Sequence, residues 1–235
     1  NVGDFGQDNN QSFIELLYEI NDKTTIPRIR ISSIEPNLIT DEIINFISLN
    51  KKFLPHLHIP LQSGSDRILK KMKRRYNVKS YVNRINKIKN KIKDCTIGVD
   101  VMTGFPTETE NDFNDSYNLL ADLPVSYLHV FPFSERDNTV AASMEGKIDL
   151  DVRYARARIL RRLSKIKFQE VQRKNIAHIR PVLFELNKDG FISGLTDNYI
   201  RVRVPSKENE FNTNFISNVK LMQIDNEIMS GELAS

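Results

Sequence analysis

The chain has 235 residues, 40% hydrophobic, 27% charged and 9% aromatic, which excludes a collagenous or disordered chain and suits two domains, one medium and one small. No run approaches the roughly 18 consecutive apolar residues of a membrane span and no secretory signal opens the chain, so a cytoplasmic protein is expected. The net charge of +4 conceals two basic stretches, Lys51 to Lys93 with Asp66 as its one acid and Leu150 to Arg180 with only Asp151 and Glu170, a footprint for a polyanion such as tRNA or else a set of solvated helix faces.

The opening NVGDFGQDNN is turn chemistry with no element before it, as expected of a fragment cut just after a strand. Up to Ser134, short β-rich runs alternate with helical stretches. A helix is predicted near Gln11 to Asn21, a strand over RIRISS (Arg28 to Ser33), and a helix from Thr40 to Leu49 with Thr40 as its cap before Asp41 and Glu42. HLHIP (His56 to Pro60) reads as a strand. Ser65 to Lys93 reads as one long basic helix with Val78, Val82, Ile85, Ile88 and Ile92 as its apolar stripe. IGVDVMTG (Ile97 to Gly104), a helix from Glu108 to Asp122 capped by Thr107 or Thr109, and the strand YLHVFPFS (Tyr127 to Ser134) complete the pattern. The alternation predicts an α/β fold of βα units on a parallel sheet, open or closed into part of a barrel. A basic helix from about Asp149 to Ala177, with Ala155, Ile159, Leu163 and Ile166 as inner stripe, closes this first domain, residues 1–178. Five short strands separated by turn signals then predict a small antiparallel β-barrel of the OB type over 179–235.

In a sheet of βα units, ligands bind at the carboxyl ends of the strands. Those ends carry Ile34-Glu35-Pro36, Leu61-Gln62-Ser63-Gly64-Ser65, Phe105-Pro106-Thr107 and Phe131-Pro132-Phe133-Ser134, expected to converge on one pocket. Glu35 can accept from ribose hydroxyls or an ammonium, Gln62 can donate and accept, and the backbone beside Phe131 and Phe133 can read an adenine edge, an inventory for a nucleoside or amino-acid ligand. The bland alternative is that Ser33, Glu35 and Ser63 cap helices and turns. Asp100 lies inside an apolar strand, where a carboxylate needs a partner or a wet interior, and is expected to support the site. His56 and His58 share a strand face and read as hydrogen-bonded barrel residues rather than a metal pair. The lone cysteine, Cys95, excludes a disulfide framework and a cysteine-only cluster made from these residues, and reads as a packed thiol. The glycines of IGVDVMTGFP lack the terminal Gly-Lys-Ser/Thr of a phosphate loop. Tyr199, Arg201 and Arg203 alternate along one strand, placing a ring and two guanidiniums on one face as a nucleic-acid contact, and Arg74 and Arg75 of the first basic stretch join them as candidates.

RIRISSIEPNLITDEII, HLHIPLQSGSDRILKKMKRRY, GVDVMTGFPTETENDF and YLHVFPFSERDNTVAA together closely resemble the radical S-adenosylmethionine methylthiotransferases, most of all the branch acting on N6-threonylcarbamoyladenosine in tRNA. The tail from Arg180, with GLTDNYIRVRV, resembles the TRAM domain of these enzymes. The resemblance implies a partial radical-SAM barrel, of which this is the C-terminal portion, holding S-adenosylmethionine and a 4Fe–4S cluster. Its cluster cysteines are expected upstream of Asn1, with no metal held by this chain. By motif it implies that Asn1, Ser33, Glu35, Gln62, Ser63, Phe131 and Phe133 line the S-adenosylmethionine pocket. The implied reaction is a 5′-deoxyadenosyl radical abstracting hydrogen at adenine C2 beside the anticodon, then sulfur insertion and methyl transfer, the fragment alone being inactive. Two further readings compete: the same chemistry on isopentenyl-adenosine tRNA or a ribosomal protein aspartate, and a non-catalytic RNA-binding module.

Overall fold

The computed structural model describes residues 1–137, 139–206 and 213–234. Among these described residues, besides three short 3-10 turns, six α-helices and eight strands follow in chain order: α1 (Phe13–Lys23), α2 (Asp41–Leu49), β1 (His56–His58), α3 (Asp66–Lys71), α4 (Val78–Lys91), β2 (Thr96–Thr103), α5 (Glu110–Asp122), β3 (Tyr127–Pro132), α6 (Leu150–Asn175), β4 (Ile179–Lys188), β5 (Phe191–Thr196), β6 (Arg201–Pro205), β7 (Phe215–Asp225) and β8 (Ile228–Leu233). Strands β1, β2 and β3 form a parallel sheet in that order.

Helix starts follow local chemistry. Thr40 accepts from Ile43 N, and Ser12, Asn77 and Thr109 each complete a reciprocal cap with the residue three positions on, satisfying amides that the helix leaves unpaired. The first core gathers Ile97, Val99 and Val101 of β2, Leu128 and Val130 of β3, and Ile85, Phe113 and Leu160 from α4, α5 and α6. Gly64 lets the loop after β1 press on α5, since a Cβ there would stand 2.5 Å from Ser116 Cα.

Three expectations are corrected. RIRISS makes only an isolated parallel bridge, Ile29 to Phe53, in place of a strand. The next donor on that edge, His56 N, turns back onto Leu54 O at 2.7 Å, so the ladder stops after one rung. The long basic helix is two, α3 and α4, because Lys73 takes φ 54° and Asn77 starts α4 afresh, while Asp66 accepts from Val78 N at 2.7 Å. The inner stripe of α6 is Arg153, Arg156, Ala157, Leu160, Leu163 and Lys167, whereas Ile159 and Ile166 are each 46% exposed. The buried cations are paired: Arg156 with Glu108 and Glu110, Lys167 with the carbonyls of Ala121 and Leu123.

At the edge strand β3, Ser164 of α6 accepts from Leu128 N at 2.8 Å and donates to Leu128 O at 3.1 Å, Arg161 donates to Val130 O at 3.2 Å, and Pro132 has no N–H. Strands β4 to β8 close into a barrel in the order β4-β5-β6-β8-β7 around Val182, Phe184, Val202, Val219 and Met229. Its pairings are antiparallel except β6 with β8, which are parallel, so the expectation of a wholly antiparallel barrel is corrected at that seam.

The barrel is bonded to the sheet. Arg28 and Arg30 donate to the carbonyls of Leu195 and Thr196, each at 3.1 Å, and Thr96 donates to Asn198 O at 2.7 Å. Buried Arg180 pairs with both Asp94 and Asp197.

Candidate active site

Alternate residues of a strand point to opposite faces, so the face opposite the core carries the second half of each strand pattern. Side-chain contacts there form three layers: His56 with Tyr127, then His58 with Asp100 and His129, then Met102 beside Phe131, its partner in register.

The lowest layer is aromatic. His56 Nε2 meets Tyr127 Oη at 2.8 Å, Tyr199 of the barrel stacks on His56 at 4.2 Å, and the Arg30 guanidinium lies 4.4 Å over Tyr199. Burial, with Arg30 adding to it, pushes the His56 pKa down to about 3, so the ring is neutral. Gly98 is required, because a Cβ there would stand 2.5 Å from the Tyr127 ring.

The middle layer is a hydrogen-bonded line. Ser33 Oγ lies 2.5 Å from His58 Nδ1, and His58 Nε2 lies 2.9 Å from Asp100 Oδ1. A carboxylate only accepts, so Nε2 donates to Asp100, and the Ser33 hydroxyl, which can donate or accept, meets Nδ1. Asp100 thus has the partner its apolar strand demands, and both histidines of HLH are engaged in hydrogen bonds.

The upper layer opens into a cavity of about 710 Å³ lined by Gln62, Arg74, Met102, Phe105, Phe131 and Phe133, with Lys71, Lys73, Arg136 and Met144 among its other walls. Gln62 sits in the left-handed region at φ 69°, where its N–H and that of Leu61 both donate to Asp100 O and its own carbonyl accepts from Met102 N. Phe131 is 51% exposed and Phe133 buried, stacked edge-on to Phe105 at 5.5 Å. Arg153 holds this wall: its guanidinium lies 5.3 Å over the Phe133 ring, donates to Phe133 O and pairs with both oxygens of Glu135. Gly104, at φ 73°, makes room for it, as a Cβ there would fall 2.2 Å from Arg153 Cγ.

Glu35 adjoins the same cavity through Arg74, whose Nη1 lies 3.1 Å from Glu35 Oε1. Arg75 binds Glu35 Oε2 and reaches Asp4 as well. Asn1 joins this corner, its Oδ1 accepting from Glu35 N at 3.3 Å. Gln62, Phe131 and Phe133 therefore line one cavity, and Glu35, with Asn1 and Ser33 near it, stands behind the cavity's Arg74. Ser63 is not part of it: its side chain is buried and faces Ser65 N and Ser116 of α5. Sequence reasoning missed Met102, Lys71, Lys73 and Arg136 on the cavity wall and Arg153 behind it; the glycine of TGFP is the one local signal that pointed to Arg153.

The expected nucleic-acid face is only partly assembled. Tyr199 precedes β6 at φ 72° and is stacked against the sheet, so it does not share a free strand face with Arg201 and Arg203. Arg203 pairs with Asp225, while Tyr199 and Arg201 border a groove of about 400 Å³ with Tyr127, Arg161, Lys165 and Phe168. Arg74 and Arg75 are held by carboxylates, as described.

The mouth suits an adenosyl ligand with a cationic end: the volume accommodates one, Met102, Phe105, Phe131 and Phe133 give it an apolar wall beside the basic Lys71, Lys73, Arg74 and Arg136, and Ser33, Gln62 and Glu35 supply acceptors nearby. These residues do not fit an iron–sulfur cluster. Cys95 is 1% exposed, its thiol pushed up to about 12 by burial, and among the described residues no three His, Cys, Asp or Glu side chains converge as metal ligands. No helix among the described residues is long and apolar enough to cross a membrane.

Parallel βα units with a pocket at their carboxyl ends match the Radical SAM superfamily model over residues 5–120, and the fold is similar to that of "Coproporphyrinogen III oxidase (HemN) from Escherichia coli is a Radical SAM enzyme", at TM-score 0.55 and 12% identity over 89% of this chain and 56% of that one. Within this class the chain is 39% identical over 208 residues to "Threonylcarbamoyladenosine tRNA methylthiotransferase MtaB" of Bacillus subtilis (strain 168), covering 86% of this chain and 46% of the relative. It is also 39% identical over 184 residues to "tRNA-2-methylthio-N(6)-dimethylallyladenosine synthase" of Aquifex aeolicus (strain VF5), covering 78% and 42%. The chain belongs to the radical SAM methylthiotransferase family. It spans about half the length of the curated relatives it matches.

Proposed function

We propose that the protein is part of a cytoplasmic tRNA methylthiotransferase that places a methylthio group on C2 of N6-threonylcarbamoyladenosine next to the anticodon. The observation that carries this reading is the convergence of Gln62, Phe131 and Phe133 on one cavity, with Glu35 bound to its Arg74, in a chain 39% identical to the MtaB relative. In it, residues 1–178 are the C-terminal portion of the radical SAM barrel and residues 179–235 a TRAM domain; the barrel order β4-β5-β6-β8-β7 with one parallel seam supports an OB-like identity for the latter.

The chemistry that S-adenosylmethionine and its 4Fe–4S cluster supply when bound is reductive generation of a radical able to take hydrogen from adenine C2. The cluster's cysteines come from outside residues 1–235, so these residues alone bind tRNA weakly and do not turn over. This chain's residues position the ligand. Glu35 and the acceptor Ser33 hold an ammonium or hydroxyls, Gln62 reads a polar edge, and Phe131, Phe133 and Met102 exclude water from the reacting end. The Tyr199 and Arg201 groove and the basic face of α6 support tRNA as partner.

The test is mass spectrometry of tRNA nucleosides from a strain lacking the gene. The 2-methylthio form of N6-threonylcarbamoyladenosine is expected to vanish while its unmodified precursor accumulates. Loss of the 2-methylthio form of isopentenyl-adenosine instead would establish the second reading, which the equal identity to the Aquifex aeolicus synthase supports.

A further inference from the structure

Two arginines of the sequence MKRRY spend their charge on the carboxylate assigned above to a cationic ligand. Glu35 Oε1 is 3.1 Å from Arg74 Nη1, and Glu35 Oε2 is 2.9 Å from Arg75 Nη2 and 3.3 Å from its Nε. The carboxylate side chain is 15% exposed, so water does little to replace a lost partner, whereas Arg74 and Arg75 are 30% and 51% exposed and Arg74 also lines the cavity. The surroundings are cationic: Lys71, Lys73, Arg74 and Arg136 all line the cavity. Lys71 is spent on the Thr107 hydroxyl, a neutral partner, and Asp4, on Arg75, is the other acid in contact with this arginine pair.

One half-buried carboxylate does not fully neutralise two guanidiniums and a ligand ammonium together. We propose that Glu35 works as a counter-ion exchanger: a cationic adenosyl ligand takes the carboxylate, and the released Arg74 and Arg75 become a phosphodiester-binding site at the rim of the mouth. This rests on the assignment of S-adenosylmethionine and tRNA made above and adds an order to their binding. Linkage makes the effect reciprocal, so RNA that captures the arginines also favours the cationic ligand at Glu35. The rim then grips a tRNA backbone more firmly when the ligand is already in place beneath it.

The test is equilibrium binding of an anticodon stem-loop RNA to the full chain across a salt series, with and without saturating S-adenosylmethionine, whose own binding is followed by calorimetry. S-adenosylmethionine is expected to tighten RNA binding by about 5-fold or more and to steepen the salt dependence by about 0.7 for each arginine that gains a phosphate. Glu35→Gln, which keeps the shape and removes the charge, is expected to bind RNA as tightly without the ligand as the parent does with it. The doubly substituted R74A/R75A chain is expected to bind weakly and ignore the ligand, while R74K/R75K, retaining the charges, responds to it. Unchanged RNA affinity when calorimetry shows S-adenosylmethionine bound overturns the exchange. If calorimetry shows no such binding, the assignment of the mouth fails instead, and Glu35→Gln decides the exchange alone: a variant that folds as the parent does, by circular dichroism, and binds RNA no tighter overturns it.

Discussion

His56 shows how one residue's environment sets a property of the whole chain. In the unfolded chain its imidazole titrates near its ordinary value of 6.5, but in the fold burial holds it neutral down to about 3. Between those values the unfolded state binds the extra proton and the folded state does not. Stability therefore rises with pH across this window and is lost as pH falls from about 6.5 toward 3, with a limiting slope of about 1.4 kcal/mol per pH unit from this group. Urea unfolding from pH 7 to pH 4 is expected to show that slope in the parent and a flatter one in His56→Gln, which keeps a partner for Tyr127. An identical slope in both would assign the acid sensitivity elsewhere. The sequence made the shared face of His56 and His58 legible, because alternation along a strand is a local rule. It did not reveal the stack on Tyr199, since residues 56 and 199 meet only when the barrel docks.

At the scale of the element, α6 is the instructive case. Read as an amphipathic helix, its isoleucines belong inside; in the fold Ile159 and Ile166 face out while Arg153, Arg156 and Lys167 face in. The reversal follows from what the helix lies against: Glu108, Glu110, Glu135 and the carbonyls of Ala121 and Leu123 accept from the inward cations, while Ala157, Leu160 and Leu163 pack into the apolar core between them. Ile159→Glu and Ile166→Glu are accordingly expected to change stability by no more than about 0.5 kcal/mol, whereas Leu160→Ala costs about 2–5 kcal/mol. Denaturant midpoints measure both, and a large loss in the isoleucine variants would restore the amphipathic reading. The same limit explains the lost strand at RIRISS and the break between α3 and α4. Composition and period describe a segment alone, but the diverted amide of His56 and the Asp66 cap act across segments.

For the whole molecule, the sheet and the barrel have separate apolar cores, yet they are joined by charged hydrogen bonds more than by apolar contact. Arg180, 7% exposed, ties the start of β4 to Asp94 before β2 and to Asp197 after β5. Its partners Asp94 and Asp197 are 43% and 21% exposed, so water takes up part of the loss and removing the arginine costs about 1–3 kcal/mol. Arg180→Ala is therefore expected to split a single calorimetric unfolding transition into two, the barrel melting apart from the sheet. One transition at a merely lower temperature would mean that the stack of Tyr199 on His56 couples the two without it. Motif order made the strand-end mouth legible from the sequence, since the carboxyl-end rule needs only topology; the ion pairs of Glu35 were not legible, because nothing in SSIEP or MKRRY states which charge answers which.

The treatment of β3 reaches furthest. With Ser164 on the amide and carbonyl of Leu128, Arg161 on the carbonyl of Val130 and Pro132 ending it, β3 offers an incoming chain no continuous donor and acceptor row. Helix α6 thus doubles as a guard rail: a stray polypeptide that seeks to add a strand beside β3 is turned away there.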